Sequence, residues 1–196
     1  MGAITEKLKL LCEAKNLTYV GTKGDTNSSL VFIGEAPGEE EDLAALPFVG
    51  PSGRELDKEK EEAGLGTVPC WFTNPYKVRP PENDLSRLDE LGVAPELFEE
   101  QFWEELEEYK PSIIVACGGI PMSLLCPFTL SKKKPIRPRI GTFRGSLLKS
   151  DRLSWPHYII PIYHPAFIFK EYSERDINIF CLEKVREEWE YLNRNG

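Results

Sequence analysis

Long apolar runs, paired cysteines and histidine are what this 196-residue chain has least of. No stretch approaches the roughly 20 apolar residues needed to cross a bilayer, which excludes a helical membrane span. The opening MGAITEKLKLLCEAK is amphipathic, with neither an apolar signal core nor a small-residue cleavage site, so a cytoplasmic location is expected. The five cysteines, Cys12, Cys70, Cys117, Cys126 and Cys181, are odd in number, widely spread and contain no CxxC. That argues against a disulfide scaffold and a self-evident metal site, and they read as reduced core residues. No internal repeat or linker is found, and the length suits one domain over residues 1–196 with a sizeable core.

What is present is a globular composition: 41% hydrophobic and 29% charged residues, with 10 Phe, 7 Tyr and 4 Trp, which excludes a wholly disordered, collagenous or coiled-coil chain. The net charge of −8 disfavours nucleic acid only until its distribution is considered. Residues 82–108 hold eleven acids and one base, so the rest of the chain is net positive. Residues 129–152 hold eight bases and one acid in a Pro- and Gly-rich setting, either a solvated loop or an attractor for a polyanion.

Short apolar runs alternate with helical patterns. Ile4, Leu8, Leu11 and Leu17 recur at roughly helical spacing, and Ser29–Gly34 reads as a strand. Ser52 is placed to cap a helix through Ala63, and Pro69–Thr73 is a second strand. Residues 95–109 form an amphipathic helix opened by Pro95, with Leu97, Phe98, Phe102, Trp103 and Leu106 on its apolar face. Ser112–Cys117 and Tyr158–Tyr163 complete four strands, and a last helix covers about residues 174–193. Continuously apolar strands joined by helices predict an α/β fold with a four-stranded parallel sheet covered on both faces, where ligands bind beyond the carboxyl ends of the strands.

Polar or glycine-rich motifs follow all four strands: GEAPGEEED (Gly34–Asp42), TNPYKVRPP (Thr73–Pro81), CGG (Cys117–Gly119) and YHPAF (Tyr163–Phe167). With PFVGPSGRELD (Pro47–Asp57), KPSIIVACGG and an RG ahead of YHPAFIF, the chain resembles the uracil-DNA glycosylase superfamily, and most closely its family 4 type, in motif order from about residue 30 to 190. The resemblance implies a three-layer α/β/α sandwich. It also implies a monofunctional glycosylase that flips a base out of DNA and hydrolyses its N-glycosidic bond, most simply uracil in DNA repair. No lysine holds a motif position that would serve a Schiff-base lyase. A monomer acting on DNA with a damaged or modified base, without cofactor or metal, is expected.

One departure bears on the cofactor. Family 4 proteins usually carry an iron–sulfur cluster on four cysteines, but here Lys15 stands three positions after Cys12 and Val78 stands in the KCRPP position. The Glu99–Gln101 region lacks the fourth cysteine, so no cluster is expected.

The resemblance assigns catalytic roles to Glu35, Glu41 and His164, with the carboxylates on the water and sugar side and the imidazole beside the base carbonyl. Charge at a helix start is the alternative for the acidic run. His157 lacks a motif and reads as structural. Base binding falls to Gly34, Ala36, Phe48 as the stacking ring and Asn74 as the amide reading the base edge, against core packing and turn capping as plainer roles. Better-studied glycosylase families place Asp or Asn where Ala36 stands. DNA contacts fall to Pro51, Ser52, Gly118, Gly119, Pro165 and Phe167, with Phe167–Phe169 as an apolar wedge, and to the basic residues Lys132, Lys133, Lys134, Arg137, Arg139 and Arg144. Two other readings remain: a glycosylase of another altered pyrimidine, such as hypermodified cytosine of phage DNA, and a non-catalytic nucleic-acid-binding module.

Overall fold

The structure, a computed structural model, describes residues 2–126 and 139–195. Its elements are, in chain order, α1 (Ala3–Ala14), β1 (Lys23–Gly24), β2 (Leu30–Ile33), α2 (Glu39–Ala44), α3 (Pro51–Glu62), β3 (Trp71–Thr73), α4 (Pro95–Tyr109), β4 (Ile113–Cys117), α5 (Gly119–Leu125), α6 (Ile140–Phe143), β5 (Tyr158–Ile162), α7 (Pro165–Ile168) and α8 (Arg175–Asn195), with short 3-10 turns between some of them. The sheet order is β1-β3-β2-β4-β5. The four expected strands are all parallel, pairing Ile33 with Thr73 and Ala116, and Val115 with Ile160. The sheet has five strands, not four, because the two-residue β1 adds antiparallel to β3.

The alternation of side chains along each strand builds the layers. Leu30, Phe32, Ile113, Val115, Ile160 and Ile162 face Leu56 of α3 and Leu182 and Val185 of α8. Val31, Ile33, Ile114, Ala116 and Ile159 face Phe102 and Leu106 of α4 and Met122 and Leu125 of α5. Every residue of β2, β3 and β4 is buried, which is why these strands read as unbroken apolar runs. The result is the three-layer α/β/α sandwich. No helix among the described residues is long and apolar enough to cross a membrane.

α1 forms a satellite cluster, its Leu8 and Cys12 packing with Val78, Leu88, Val93 and Phe98. Between this cluster and the sheet lies a buried polar group: Lys77 Nζ donates to Glu105 Oε2 at 2.8 Å and to Thr73 Oγ1 at 2.5 Å, and Gln101 donates to the same Glu105 oxygen at 3.0 Å. Thus the inner face of α4 is not purely apolar; it buries Gln101 and Glu105 beside Phe98, Phe102 and Leu106, while Leu97 and Trp103 are only partly buried. Ser52 lies inside α3, not at its cap. Gly50 is the N-cap and Pro51 the first helical residue, the position where a missing N–H costs nothing.

Candidate active site

β2 and β4 are neighbours although β3 follows β2 in sequence, so the chain reverses direction across the sheet here and leaves a crevice at the carboxyl ends of the two strands. Gly34 closes β2, its N–H bonded to the Thr73 carbonyl at 3.0 Å. A Cβ on Gly34 would lie 2.4 Å from Asn74 Oδ1 and 2.8 Å from Phe48 Cζ. Glycine is required because the amide and the ring converge over it. Asn74 is 4% exposed, yet its side-chain amide bonds to no other protein group among the described residues. Its donor and acceptor are left to whatever enters the crevice.

Phe48 has a φ of +54°, a left-handed backbone for a side chain that disfavours it. Four contacts hold it there. Lys23 Nζ donates to its carbonyl at 2.7 Å. The next two amides, of Val49 and Gly50, donate to Glu41 Oε1 at 3.0 and 2.6 Å. Gly53 of α3 leaves no room for a Cβ, which would lie 2.3 Å from the Phe48 backbone. The Phe48 ring leans on Phe72 at 5.3 Å and 46°.

Glu41 uses its second oxygen as well, accepting from Gly38 N–H at 3.2 Å to close the start of α2. Both oxygens therefore accept from backbone amides, and the carboxylate ties the Phe48 loop to the start of α2. Glu35 is different. It is half-buried, its carboxylate has no protein partner among the described residues, and burial raises its pKa above the ordinary carboxylate value. Ala36 beside it is half-buried and contributes no polar side-chain group.

His164 follows β5 as the N-cap of α7, its Nδ1 accepting from the Ala166 N–H at 3.1 Å. Only an unprotonated Nδ1 can accept, so the neutral ring carries its proton on Nε2. Burial pushes the His164 pKa down to about 4, with the nearby Glu41 charge pulling the other way, so the ring is neutral at pH 7. Gly118, at φ +109°, leaves space for it: a Cβ there would sit 3.2 Å from His164 Cβ.

The preceding residue, Tyr163, is held by Asn178 of α8, whose Oδ1 accepts from the Tyr163 N–H at 3.0 Å and whose Nδ2 donates to the Tyr163 carbonyl at 3.1 Å. The same Nδ2 donates to Glu59 Oε2 of α3 at 3.3 Å. Glu59 Oε1 is buried without a partner, and burial pushes its pKa up to about 7. Asn178 and Glu59 were missed from sequence, although each is a polar residue on an otherwise apolar helical stripe, beside Cys181 and Leu182 or Leu56 and Ala63. No local pattern marks Lys23. His157 is buried and bonds two backbone groups, accepting from Ser150 N–H at 2.9 Å and facing the Trp155 carbonyl at 2.7 Å.

On the outer rim, Pro51 and Gly119 are exposed and Ser52 is half-buried. Phe167 is partly exposed and stacks on Tyr163 at 4.7 Å, and Phe169 is 58% exposed. Ile168 is buried and leaves the wedge, because a single helical turn cannot point three successive side chains outward. Pro165 is buried too and opens α7, a position where its missing N–H costs nothing. Arg144 ion-pairs with Glu174 at 2.5 Å and lies 5.0 Å from the Tyr163 ring centroid, so its charge is already committed within the protein. Arg139 is exposed. Lys132, Lys133, Lys134 and Arg137 lie outside the described residues.

The iron–sulfur cluster that the resemblance would imply does not fit this chain. Cys12 and Val78 are both buried in dry contact with Leu8, Leu88, Val93 and Phe98, and the Lys15 ammonium group lies beside Gly92. No group of three His, Cys, Asp or Glu side chains suited to a metal occurs among the described residues, and one thiol cannot hold a cluster.

Comparison with known proteins finds relatives along most of the chain. A model of the uracil DNA glycosylase superfamily matches residues 22–193. A type-4 uracil-DNA glycosylase of Saccharolobus solfataricus is 34% identical over 163 residues, which cover 82% of this chain and 70% of that protein. Another from Archaeoglobus fulgidus is 30% identical over 182 residues, covering 89% of this chain and 87% of that protein. A third, from Thermotoga maritima, is 27% identical over 176 residues, covering 89% and 83%.

Proposed function

Because the chain belongs to the uracil DNA glycosylase superfamily, we propose that it is a monofunctional DNA glycosylase that removes uracil from DNA, working as a cytoplasmic monomer without a metal. The observation that carries this reading is the meeting of an uncommitted, nearly buried amide, Asn74, with the Phe48 ring over Gly34. An amide offers one donor and one acceptor face, which matches the O4 and N3–H of uracil. A ring beside it supplies a stacking surface worth about 1 to 3 kcal/mol per base.

The reaction then follows from the other residues. A nucleotide turned out of the duplex places its base between Phe48 and the His164 ring. As the C1′–N1 bond breaks, both electrons pass to the base and positive charge builds on the sugar. The Nε2–H of neutral His164 donates to a base carbonyl, a bond that strengthens as the base becomes anionic and so acts on the transition state. The free carboxylate of Glu35 orients water and offsets the sugar's charge. The water oxygen joins C1′, and its proton ends on the departed base. Glu41 acts one step back, by holding Phe48. The amide of exposed Gly119 and that of half-buried Ser52 suit the flanking phosphates.

The test is abasic-site formation on duplexes carrying one uracil, read by alkaline strand cleavage, beside duplexes with hypoxanthine, thymine mismatches and hydroxymethylated or glucosylated cytosine. Uracil removal supports the reading. Removal of a modified cytosine alone would replace the substrate, and binding without any cleavage would leave a nucleic-acid-binding module.

A further inference from the structure

Behind Phe48 lies a stack that no motif announces. Phe72 packs against Phe48 on one side and lies on Phe32 at 5.3 Å and 22° on the other. Two ammonium groups cap this stack: Lys23 Nζ lies 4.6 Å from the Phe72 centroid, and Lys60 Nζ lies 4.8 Å from Phe72 and 5.3 Å from Phe32. Lys60, on α3, is 7% exposed, and Lys23, on β1, is half-buried. Withdrawing a lysine from water is costly, and a methionine would pack the same space without that cost. The anionic groups nearby do not explain both cations. Asp57, 3.6 Å from Lys60 and also acting on Lys23, has a 56% exposed side chain and is screened by water. Glu41, which also faces Lys23, is already shared among three backbone amides. The Cys70 thiol lies near both lysines and is held protonated by burial.

We propose that Lys23 and Lys60 form a cationic backing to the Phe48 platform that stabilises the negative charge collecting on the departing base. This rests on the glycosylase reading above and adds the source of a fixed field to it. Preorganised charge in a water-poor site acts on the transition state without reorganisation. Neither lysine touches the base, so both are positioning residues. Lys23 has a second part, since its bond to the Phe48 carbonyl fixes the platform. A fixed cation on the base side lowers the barrier to charge separation because it lies nearer the base anion than the sugar cation, and a bias of about 1.4 kcal/mol is tenfold in rate.

Changing the leaving group separates the field from mere packing. Single-turnover excision is measured on oligonucleotides carrying uracil or 5-fluorouracil, whose anion needs less external stabilisation. Lys23→Met and Lys60→Met are each expected to slow uracil removal by about tenfold and 5-fluorouracil removal by about threefold or less. Lys23→Arg, which keeps the charge, should retain most of the rate on both bases. Equal slowing of both bases in Lys23→Met, or no slowing, would overturn the proposal. Because Lys60 is the more buried, Lys23→Met decides the matter if Lys60→Met does not fold. A wild-type protein that removes neither base would overturn the glycosylase reading itself, and the proposal with it.

Discussion

Replacing Glu59 by glutamine should stabilise the protein at pH 8 and change it little at pH 4.5. The Glu59 carboxyl is fully buried, accepts one bond from Asn178 through Oε2, and leaves Oε1 without a partner. Burial is the largest cause of its pKa of about 7, with Asn178 and Arg175 lowering it and the Glu55 and Glu62 carboxylates raising it. In the unfolded chain the value returns to about 4.5. Between these two values the folded protein binds the proton that the unfolded chain has lost, so stability falls as pH rises through this window and the loss is complete above about 7. Each pH unit is worth about 1.4 kcal/mol, which puts the cost of ionising Glu59 at up to about 3 kcal/mol. Glutamine keeps an acceptor for Asn178 and never ionises. Urea denaturation of both proteins at pH 4.5 and pH 8 reads the difference directly. His164 titrates in the same range with opposite sign, since its lowered pKa makes the native state gain stability between about pH 4 and 6.5. That effect is common to both proteins and cancels. An equal stability difference at the two pH values would refute the assignment of a raised Glu59 pKa.

Three further outcomes follow from the same geometry. Glu105→Ala leaves the Lys77 ammonium buried and unpaired and should cost about 3 to 5 kcal/mol, whereas the double change Lys77→Met with Glu105→Leu should recover most of that in urea titrations. Gly34→Ala puts a methyl 2.4 Å from Asn74 Oδ1 and should abolish uracil excision while leaving the affinity for undamaged duplex within about twofold, checked by fluorescence anisotropy. The purified protein should be colourless, contain no stoichiometric iron by elemental analysis, and keep its activity in chelator, since Val78 and Lys15 stand where thiolates would be needed.

The layers were legible from sequence because the information is local. Leu30–Ile33 and Ile113–Cys117 are apolar on both faces, which only a covered parallel sheet satisfies, and Pro95 marks the start of α4. The edge strand Lys23–Gly24 was not legible, for two residues carry no periodicity and owe their strand geometry to pairing with Trp71 and Phe72. The same distinction holds in the site. Gly34, Asn74 and His164 stand out by their place just after β2, β3 and β5, and Phe48 by the resemblance of its PFVG segment. The division of labour between Glu35 and Glu41 does not, because it depends on a loop that brings the amides of Val49 and Gly50 back over α2. The burial of Pro165 and Ile168 likewise depends on how α7 docks, not on the apolar character of the HPAFIF segment. Asn178 and Glu59 could have been found as polar interruptions of apolar stripes, a pattern that marks a buried hydrogen-bond network without saying which peptide it holds.

Single-turnover excision by saturating enzyme reads whether a neutral His164 stabilises the departing base. The rate for wild type on a uracil duplex should climb with pH as Glu35 ionises and should show no decline through pH 6 to 8, because His164 loses no proton in that range. His164→Ala should lower the rate by about 10²- to 10⁴-fold with duplex affinity nearly unchanged. A wild-type rate that declines as pH passes through 6 to 7, or a His164→Ala enzyme that keeps most of its rate, would remove neutral His164 from the mechanism.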